Sequence, residues 1–366
     1  MLKADVNATS VSAEHARAHG ATVGHVYRHA LNGYSARMSA TAAARLASDP
    51  RVLLVQADGV ASIAAQTLPT GINRVDAELS PTAAIDGVDT RVNVDVAVID
   101  TGIDLTHPDL NVHRAGARNC STGRSANDGH GHGTHVAGTI GAIDNGDGVV
   151  GVAPGARVWP VRVLNNQGSG SFSDIICGID WVTAHASEIE VANMSLGGSG
   201  SDGSCASDAM HQAICNSVAA GVTYAVAAGN SATNANNFVP ATYAEVITVS
   251  ALADFNGTPG GGGAATCRAD VDDTFADFSN FGADVDLIAP GVCILSSWKG
   301  GGYNTISGTS MASPHVAGGA ALYKATNPTA SPAAVKTALQ NAANLNWSTG
   351  TDPDGNPDRL LNVATF

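Results

Sequence analysis

The stretch Gly308-Thr309-Ser310-Met311-Ala312-Ser313-Pro314-His315-Val316-Ala317-Gly318 reads as a glycine-hinged turn that runs straight into a helix. Ser310 is expected where that helix begins and Pro314 in its first turn, where a missing N–H costs little. A serine so placed has its backbone N–H at the positive end of the helix dipole. That suits a hydroxyl that attacks a carbonyl and a backbone that then holds the oxyanion formed. A serine N-cap ahead of an alanine-rich packing helix would look the same. The choice turns on whether the chain also supplies a base, a carboxylate and a second oxyanion donor.

Upstream of this stretch, strand and helix patterns alternate. In Val94-Asp95-Val96-Ala97-Val98-Ile99-Asp100-Thr101-Gly102, the apolar run reads as a buried parallel strand that ends in a carboxylate and a glycine. Asp128-Gly129-His130-Gly131-His132-Gly133-Thr134-His135-Val136-Ala137-Gly138 is a glycine-loosened loop feeding a small-residue helix. Further strands are expected over 158–164, 191–198 (ending in glycines), 222–230 (ending in asparagine), 245–251 and 285–289, and helices over 172–186, 208–219 and 332–342. This alternation predicts an α/β fold, a doubly wound parallel sheet. Such sheets gather functional groups at one edge, and Asp100, His132, Asn230 and Ser310 all fall at strand ends or helix starts.

His132, with glycine on both sides, is the candidate base. His135, a turn into the helix, is expected to be packed, and His130 to be a solvated loop residue. A three-histidine metal site would lack a cysteine or carboxylate to complete it.

The 366 residues suffice for one large domain and a small one. With 44% hydrophobic and 14% charged residues, the composition is that of a globular protein, and 42 glycines imply many loops of fixed geometry. A net charge of −14 argues against nucleic acid or an anionic membrane as partner. No apolar run is long enough for a transmembrane span. The start, Met1-Leu2-Lys3-Ala4-Asp5, lacks the apolar core of a signal peptide.

None of the six cysteines forms a C-x-x-C pair, which favours disulfides and an oxidising compartment over a zinc ribbon. Sequence alone leaves many connectivities open. The working expectation is Cys205–Cys215 and Cys267–Cys293 as local bridges, with Cys120–Cys177 as the remaining pair.

Residues 1–64 read as a separate α+β unit: a helix over 12–18, strands over 22–27 and 34–38, a helix from Ser39 to Leu46, and a strand at Val52–Val55. With Met1–Lys3 as the stub of a first strand, the order is ferredoxin-like. Val26-Tyr27-Arg28-His29-Ala30-Leu31-Asn32-Gly33-Tyr34 and Asp49-Pro50-Arg51-Val52 resemble the inhibitory prodomain of secreted subtilisin-like proteases.

Four motifs carry the resemblance through the rest of the chain: Asp100-Thr101-Gly102, His132-Gly133-Thr134-His135, Ala227-Ala228-Gly229-Asn230 and Gly308-Thr309-Ser310-Met311-Ala312-Ser313-Pro314. In this order they are similar to the subtilase family, nearest its subtilisin and proteinase K branches. The Asp, His, Ser order is itself that of subtilisins.

The resemblance implies a secreted, monomeric serine endopeptidase made as a proenzyme, with protein and peptide substrates. Residues 1–64 would be the inhibitory prodomain and 65–366 the peptidase domain, with the tail Ala61-Ser62-Ile63-Ala64 in the cleft and the cut at Ala64–Ala65 or one bond earlier. It casts Ser310 as nucleophile, His132 as base, Asp100 as its orienting carboxylate and Asn230 as oxyanion donor. Gly168-Ser169-Gly170 and Ser195-Leu196-Gly197 would pair with an extended substrate, Phe172 would border an apolar pocket, and Phe238 would stand in the wall of the primary pocket. A structural calcium would take the side chains of Gln66, Asp109 and Asn145 and the carbonyls of Ile143, Asp147 and Val149, with Gln66 reaching the site only after cleavage.

Two other readings compete with this one. A sedolisin-type acid protease would need glutamate at His132 and aspartate at Asn230, and neither is present. An inert subtilase scaffold acting as a binding or inhibitor protein would not need all four residues intact.

Overall fold

The structure is a computed structural model that describes residues 1–58 and 66–366. It divides into two compact units, 1–63 and 64–366. The expected cleavage point and the tail before it lie outside the described residues.

In the first unit, α1 (Ala8–His19) starts at Asn7, whose side chain accepts the N–H groups of Thr9 and Ser10, and stops at Gly20 in the left-handed region. Strands β1 (Thr22–Tyr27) and β2 (Gly33–Arg37) form an antiparallel pair, and α2 (Ala40–Leu46) begins at Ser39 as expected. Leu2, Ala8 and Val11 form the buried core, against Val26, Tyr34 and Val52. The strand expected at Val52–Val55 is reduced to one bridge, Leu2 to Val52. Backbone bonds from Lys3 N–H to the Arg51 carbonyl and from Leu53 N–H to the Met1 carbonyl flank this bridge, and Leu53 and Leu54 are exposed.

The second unit contains a short α3 (Thr70–Arg74) and an eight-stranded sheet. Its strands are β3 (Asp95–Asp100), β4 (Arg118–Asn119), β5 (Arg157–Arg162), β6 (Val191–Met194), β8 (Thr223–Ala227), β10 (Ile247–Ala253), β11 (Thr274–Phe275) and β12 (Leu287–Pro290). Two-residue β7 (Gly198–Ser199) pairs with β9 (Phe238–Val239) outside it. The order is β11-β10-β8-β6-β3-β5-β4, with β12 also on β10. All pairings within it are parallel except β10–β11.

Each central strand is buried on both faces, so alternate residues enter two different cores. Val96 and Val98 of β3 face a core with Val136 and Ile140 of α4 (His132–Gly141), Val316 and Ala320 of α7 (Thr309–Thr326), and Val335 and Leu339 of α8 (Pro332–Ala342). Ala97 and Ile99 face the other core, with Ile175 and Ile179 of α5 (Phe172–Ala184) and Ile214 of α6 (Ala209–Ala219). From central β3 the chain runs out to the edge at β4, comes back to β5 beside β3, then crosses to β6 on the other side. The crevice beyond the strand ends at such a reversal is where open α/β sheets bind ligands.

An antiparallel hairpin, β13 (Ile294–Trp298) and β14 (Gly302–Ile306), precedes α7. It was not expected from sequence. The three disulfides are Cys120–Cys177, Cys205–Cys215 and Cys267–Cys293, the working expectation.

Candidate active site

Asp100 ends β3 and is wholly buried. Its Oδ1 and Oδ2 lie 2.8 and 2.9 Å from His132 Nδ1, and Oδ1 also accepts the Thr101 N–H at 2.6 Å. His132 is the first residue of α4. Gly133 permits the close approach of α4 to the end of β3: a Cβ there would overlap the Gly102 carbonyl oxygen.

A second carboxylate, Asp128, organises the same loop and was not singled out from sequence. Its Oδ1 accepts the N–H groups of His130 and Gly131 and the Thr101 hydroxyl; its Oδ2 accepts both the N–H and the hydroxyl of Thr134. It therefore serves as the side-chain cap of α4, whose own N-cap is glycine. Burial disfavours a charged His132, but the charge and hydrogen bond of Asp100 and the charge of Asp128 outweigh it, so His132 titrates above its ordinary value. The neutral, proton-accepting form predominates only above that raised value.

Ser310 is the second residue of α7. Pro314 lies one turn deeper than expected, inside the helix rather than in its first turn. A proline there leaves the carbonyl four residues back, that of Ser310, without its helical donor. Ser195 Oγ fills the gap, donating to that carbonyl at 2.7 Å. The Ser310 hydroxyl in turn donates to the Ser195 carbonyl at 3.1 Å. Ser195 Oγ is further held by Asn193 Nδ2 and Ser313 Oγ, both at 2.9 Å. Among the described residues no hydrogen bond joins Ser310 Oγ to His132 Nε2. Such bonds often tighten only when a substrate binds.

Asn230 follows β8 and is exposed. Its Oδ1 accepts the N–H and hydroxyl of Thr309 at 2.8 and 2.9 Å, which commits the carbonyl side and leaves Nδ2 outside this pair of bonds. Gly308 sits at φ 155°, ψ 162°, a conformation nearly confined to glycine. A Cβ there would lie 3.6 Å from Asn230 Nδ2 and 3.7 Å from the Ser310 nitrogen. The space between these two donors can take an oxyanion.

Ser310 and His132 open into a groove of about 470 Å³. Its lining includes Gly168, Ser169 and Gly170 on one side, Ser195, Leu196 and Gly197 on the other, and an apolar end formed by Leu164, Phe172 and Ile175. No aspartate or glutamate lines it among the described residues. Phe238, of β9, packs directly behind Gly197 on the second of these sides, where a Cβ on Gly197 would collide with its ring. His130, expected as a solvated loop residue, is partly buried and lines the groove, because Asp128 draws its N–H inward. His135 is fully buried, as expected, with Nε2 on the Ile294 carbonyl at 2.9 Å; burial pushes it down to about 3, so it stays neutral.

At the loop 143–149, Asp109 is buried with Oδ1 unpartnered, while Oδ2 accepts the Val149 N–H at 3.1 Å. Burial pushes its carboxyl up to about 7. Gln66 Nε2 donates to the carbonyls of Ile143 and Val149 at 2.8 and 3.2 Å. Gln66 thus meets the loop, while the stretch before it, through which cleavage was expected to free it, lies outside the described residues. The parallel bridge of Thr67 to Val149 holds it there. Asn145 is exposed and its Oδ1 accepts the Asp147 N–H at 2.9 Å, so its side chain closes its own turn. Sequence reasoning missed Gly148, where a Cβ would overlap both the Tyr303 hydroxyl and Asp109 Oδ2.

Residues 92–362 match the Subtilase family, and residues 2–64 match Peptidase inhibitor I9. The chain is 40% identical over 316 residues to Subtilisin NAT of Bacillus subtilis subsp. natto, covering 86% of this chain and 76% of that one. It is 43% identical over 329 residues to an extracellular serine proteinase of Thermus sp. (strain Rt41A), covering 87% and 73%. A crystal structure of a cold adapted subtilisin-like serine proteinase matches with TM-score 0.64 at 36% identity, covering 81% of this chain and 98% of that one.

Proposed function

Since the chain belongs to the subtilase family, a serine endopeptidase preceded by an inhibitor-type prodomain, we propose that it cleaves peptide bonds through an acyl-enzyme on Ser310. The observation that carries this is one groove shared by Ser310 and an imidazole whose Nδ1 is held by both oxygens of a buried carboxylate.

A serine hydroxyl is a weak nucleophile until a base takes its proton. His132 Nε2 receives the Ser310 proton as Oγ attacks the scissile carbonyl. Asp100 holds the tautomer and stabilises the imidazolium. Asn230 Nδ2 and the Ser310 N–H take the oxyanion, and His132 then hands the proton to the leaving amine. Water repeats the sequence on the acyl-enzyme. The bond from Ser310 Oγ to the Ser195 carbonyl must break first. A substrate N–H that pairs with this carbonyl releases the hydroxyl toward His132.

Extended substrates pair with the backbones of 168–170 and 195–197, which gives affinity with little side-chain selectivity. Leu164, Phe172 and Ile175 take an apolar side chain, and the absence of lining carboxylates disfavours basic residues. The protein works outside the cell as a monomer, without nucleic acid or membrane as partner. No helix among the described residues is long and apolar enough to cross a membrane.

The test is a peptide mixture digested by the activated chain, whose first residue N-terminal sequencing should place at Ala65 or Ala64. Cuts should follow small or apolar residues, with apolar residues enriched upstream. Cuts confined to lysine and arginine would overturn the preference, and an active chain that keeps residues before Val60 would overturn the boundary.

The loop 143–149 fits a structural calcium. The unpartnered Asp109 Oδ1 and carbonyls already gathered around a donor N–H of Gln66 form an oxygen-rich cradle. Turning the Gln66 amide over would present Oε1 instead. Asp109, Gln66 and the carbonyls of Ile143, Asp147 and Val149 would hold the ion, with Asn145 joining if its turn reopens. Calcium supplies charge compensation for the buried carboxylate and ties the chain near Gln66 to the peptidase unit. At a thousandfold excess over its dissociation constant it should add ~4 kcal/mol of stability. Thermal unfolding of a Ser310→Ala chain, which cannot digest itself, should show a large calcium-dependent rise that Asp109→Ala abolishes. A midpoint indifferent to chelator would remove the site.

A further inference from the structure

Away from the groove, four ligand-type side chains converge at the start of α6. Ligand atoms of Cys205, His211, Cys215 and Glu245 all lie within 4.8 Å of one another. His211 and Cys215 are four residues apart on α6 and so share a face. Cys205 comes from the turn just before the helix, and Glu245 from the loop that leads into β10. His211 is buried and stacked on Tyr243 at 3.9 Å between ring centroids and 6° between planes. Tyr243 in turn donates to Asp208, the N-cap of α6, at 3.1 Å. The imidazole therefore cannot turn away.

His211 Nε2 lies 2.8 Å from Glu245 Oε2, and Cys205 Sγ lies 3.6 Å from Glu245 Oε1. His211 Nδ1 is buried without a hydrogen-bond partner, but Asp202 Oδ1 stands 3.7 Å from it. Metal-binding histidines typically hydrogen-bond a carboxylate through their second nitrogen, and a small approach of Asp202 would complete that bond here. In the structure the two sulfurs are joined as a disulfide, and only thiolates bind zinc well.

We propose that, when the Cys205–Cys215 disulfide is reduced, Cys205, His211 Nε2, Cys215 and Glu245 form a four-coordinate zinc site. Two thiolates, an imidazole and a carboxylate suit zinc over calcium or magnesium. Tetrahedral zinc sets its ligand atoms roughly 3.5 Å apart; Cys205 Sγ and Glu245 Oε1 already stand 3.6 Å apart, while the sulfurs must separate and the 2.8 Å hydrogen bond of His211 to Glu245 must open to admit the ion. With four protein ligands the site is closed to substrate and structural. It joins the 205 turn to α6 as the disulfide does, so the same clasp can be made by a covalent bond or by a metal, depending on redox state. The site is available in a chain not yet oxidised or one exposed to a reductant.

The reaction balances with a trialkylphosphine as reductant. Phosphine, disulfide and one water give phosphine oxide and two thiols, and each thiol gives its proton to solvent as the metal binds. A phosphine is used because dithiols compete for zinc.

The experiment uses the full chain carrying Ser310→Ala, which prevents self-digestion. The reduced chain should bind one equivalent of cobalt(II), read by its thiolate-to-cobalt charge-transfer band, and zinc should displace it. The oxidised chain should show no band. Cys205→Ser/Cys215→Ser should abolish the band, whereas Cys120→Ser/Cys177→Ser should keep it. His211→Ala, which retains every cysteine, should weaken cobalt binding by at least the ~100-fold seen at the upper end for supporting partners.

A band that survives Cys205→Ser/Cys215→Ser, or an unchanged affinity in His211→Ala, overturns the proposal. So does a reduced chain that binds no cobalt. Circular dichroism follows the fold throughout, and a reduced chain that unfolds and does not recover on adding zinc counts against the site as well.

Discussion

Ser310→Ala should lower the turnover of a peptide substrate by about a millionfold, the loss measured for the nucleophile of a subtilisin. The residue is at the entrance of the groove, on the second position of α7, and its carbonyl and hydroxyl are both tied to Ser195. Removal of Oγ leaves the Ser195 hydroxyl on the Ser310 carbonyl, so the helix start stays held and the loss falls on chemistry. The rate that remains should come from the oxyanion donors and from binding alone. His132→Ala should cost about as much, and the double variant no more than either, because the two act as a unit. A phosphonylating reagent should label Ser310 and no other residue. Labelling at another residue, or an active Ser310→Ala chain, would sink the assignment.

Asn230→Leu should reduce kcat by ~10²–10³ with little change in KM, the effect known for the matching donor in a subtilisin. Leucine is close to asparagine in size but offers no N–H. The oxyanion exists only along the reaction path, so the lost interaction appears in kcat rather than in substrate affinity. The carbonyl side of Asn230 is committed to Thr309, and the variant leaves the Thr309 N–H and hydroxyl without that acceptor. Thr309 is fully buried, so the variant should also lose about 1–3 kcal/mol of stability, which thermal unfolding reads separately from kcat. Steady-state kinetics on one chromogenic peptide decides it. A loss expressed mainly in KM would mean that Asn230 binds ground-state substrate instead.

Much of this was legible in the chain itself. The alternation of apolar strands with small-residue helices is a local signal, and it determined a parallel sheet and the positions of Asp100, His132, Asn230 and Ser310 on its edge. A strand end and a helix start are set by a few neighbouring residues, so these four could be placed without any knowledge of their partners. The short spacing of Cys205 and Cys215 was informative for the same reason.

Tertiary structure alone decided what those residues touch. That Ser195 replaces the helical donor missing at Pro314 depends on a contact between residues 115 positions apart. Asp128 reads in sequence as one more loop aspartate; only folding brings Thr101 to it, and with it the end of β3. His130 lines the groove, Phe238 packs behind Gly197, and Gln66 meets the loop at 143–149. Each of these outcomes rests on hydrogen bonds or packing between segments far apart in the chain. Local spacing carries no record of them, because a side chain's partner is chosen by the path of the whole backbone.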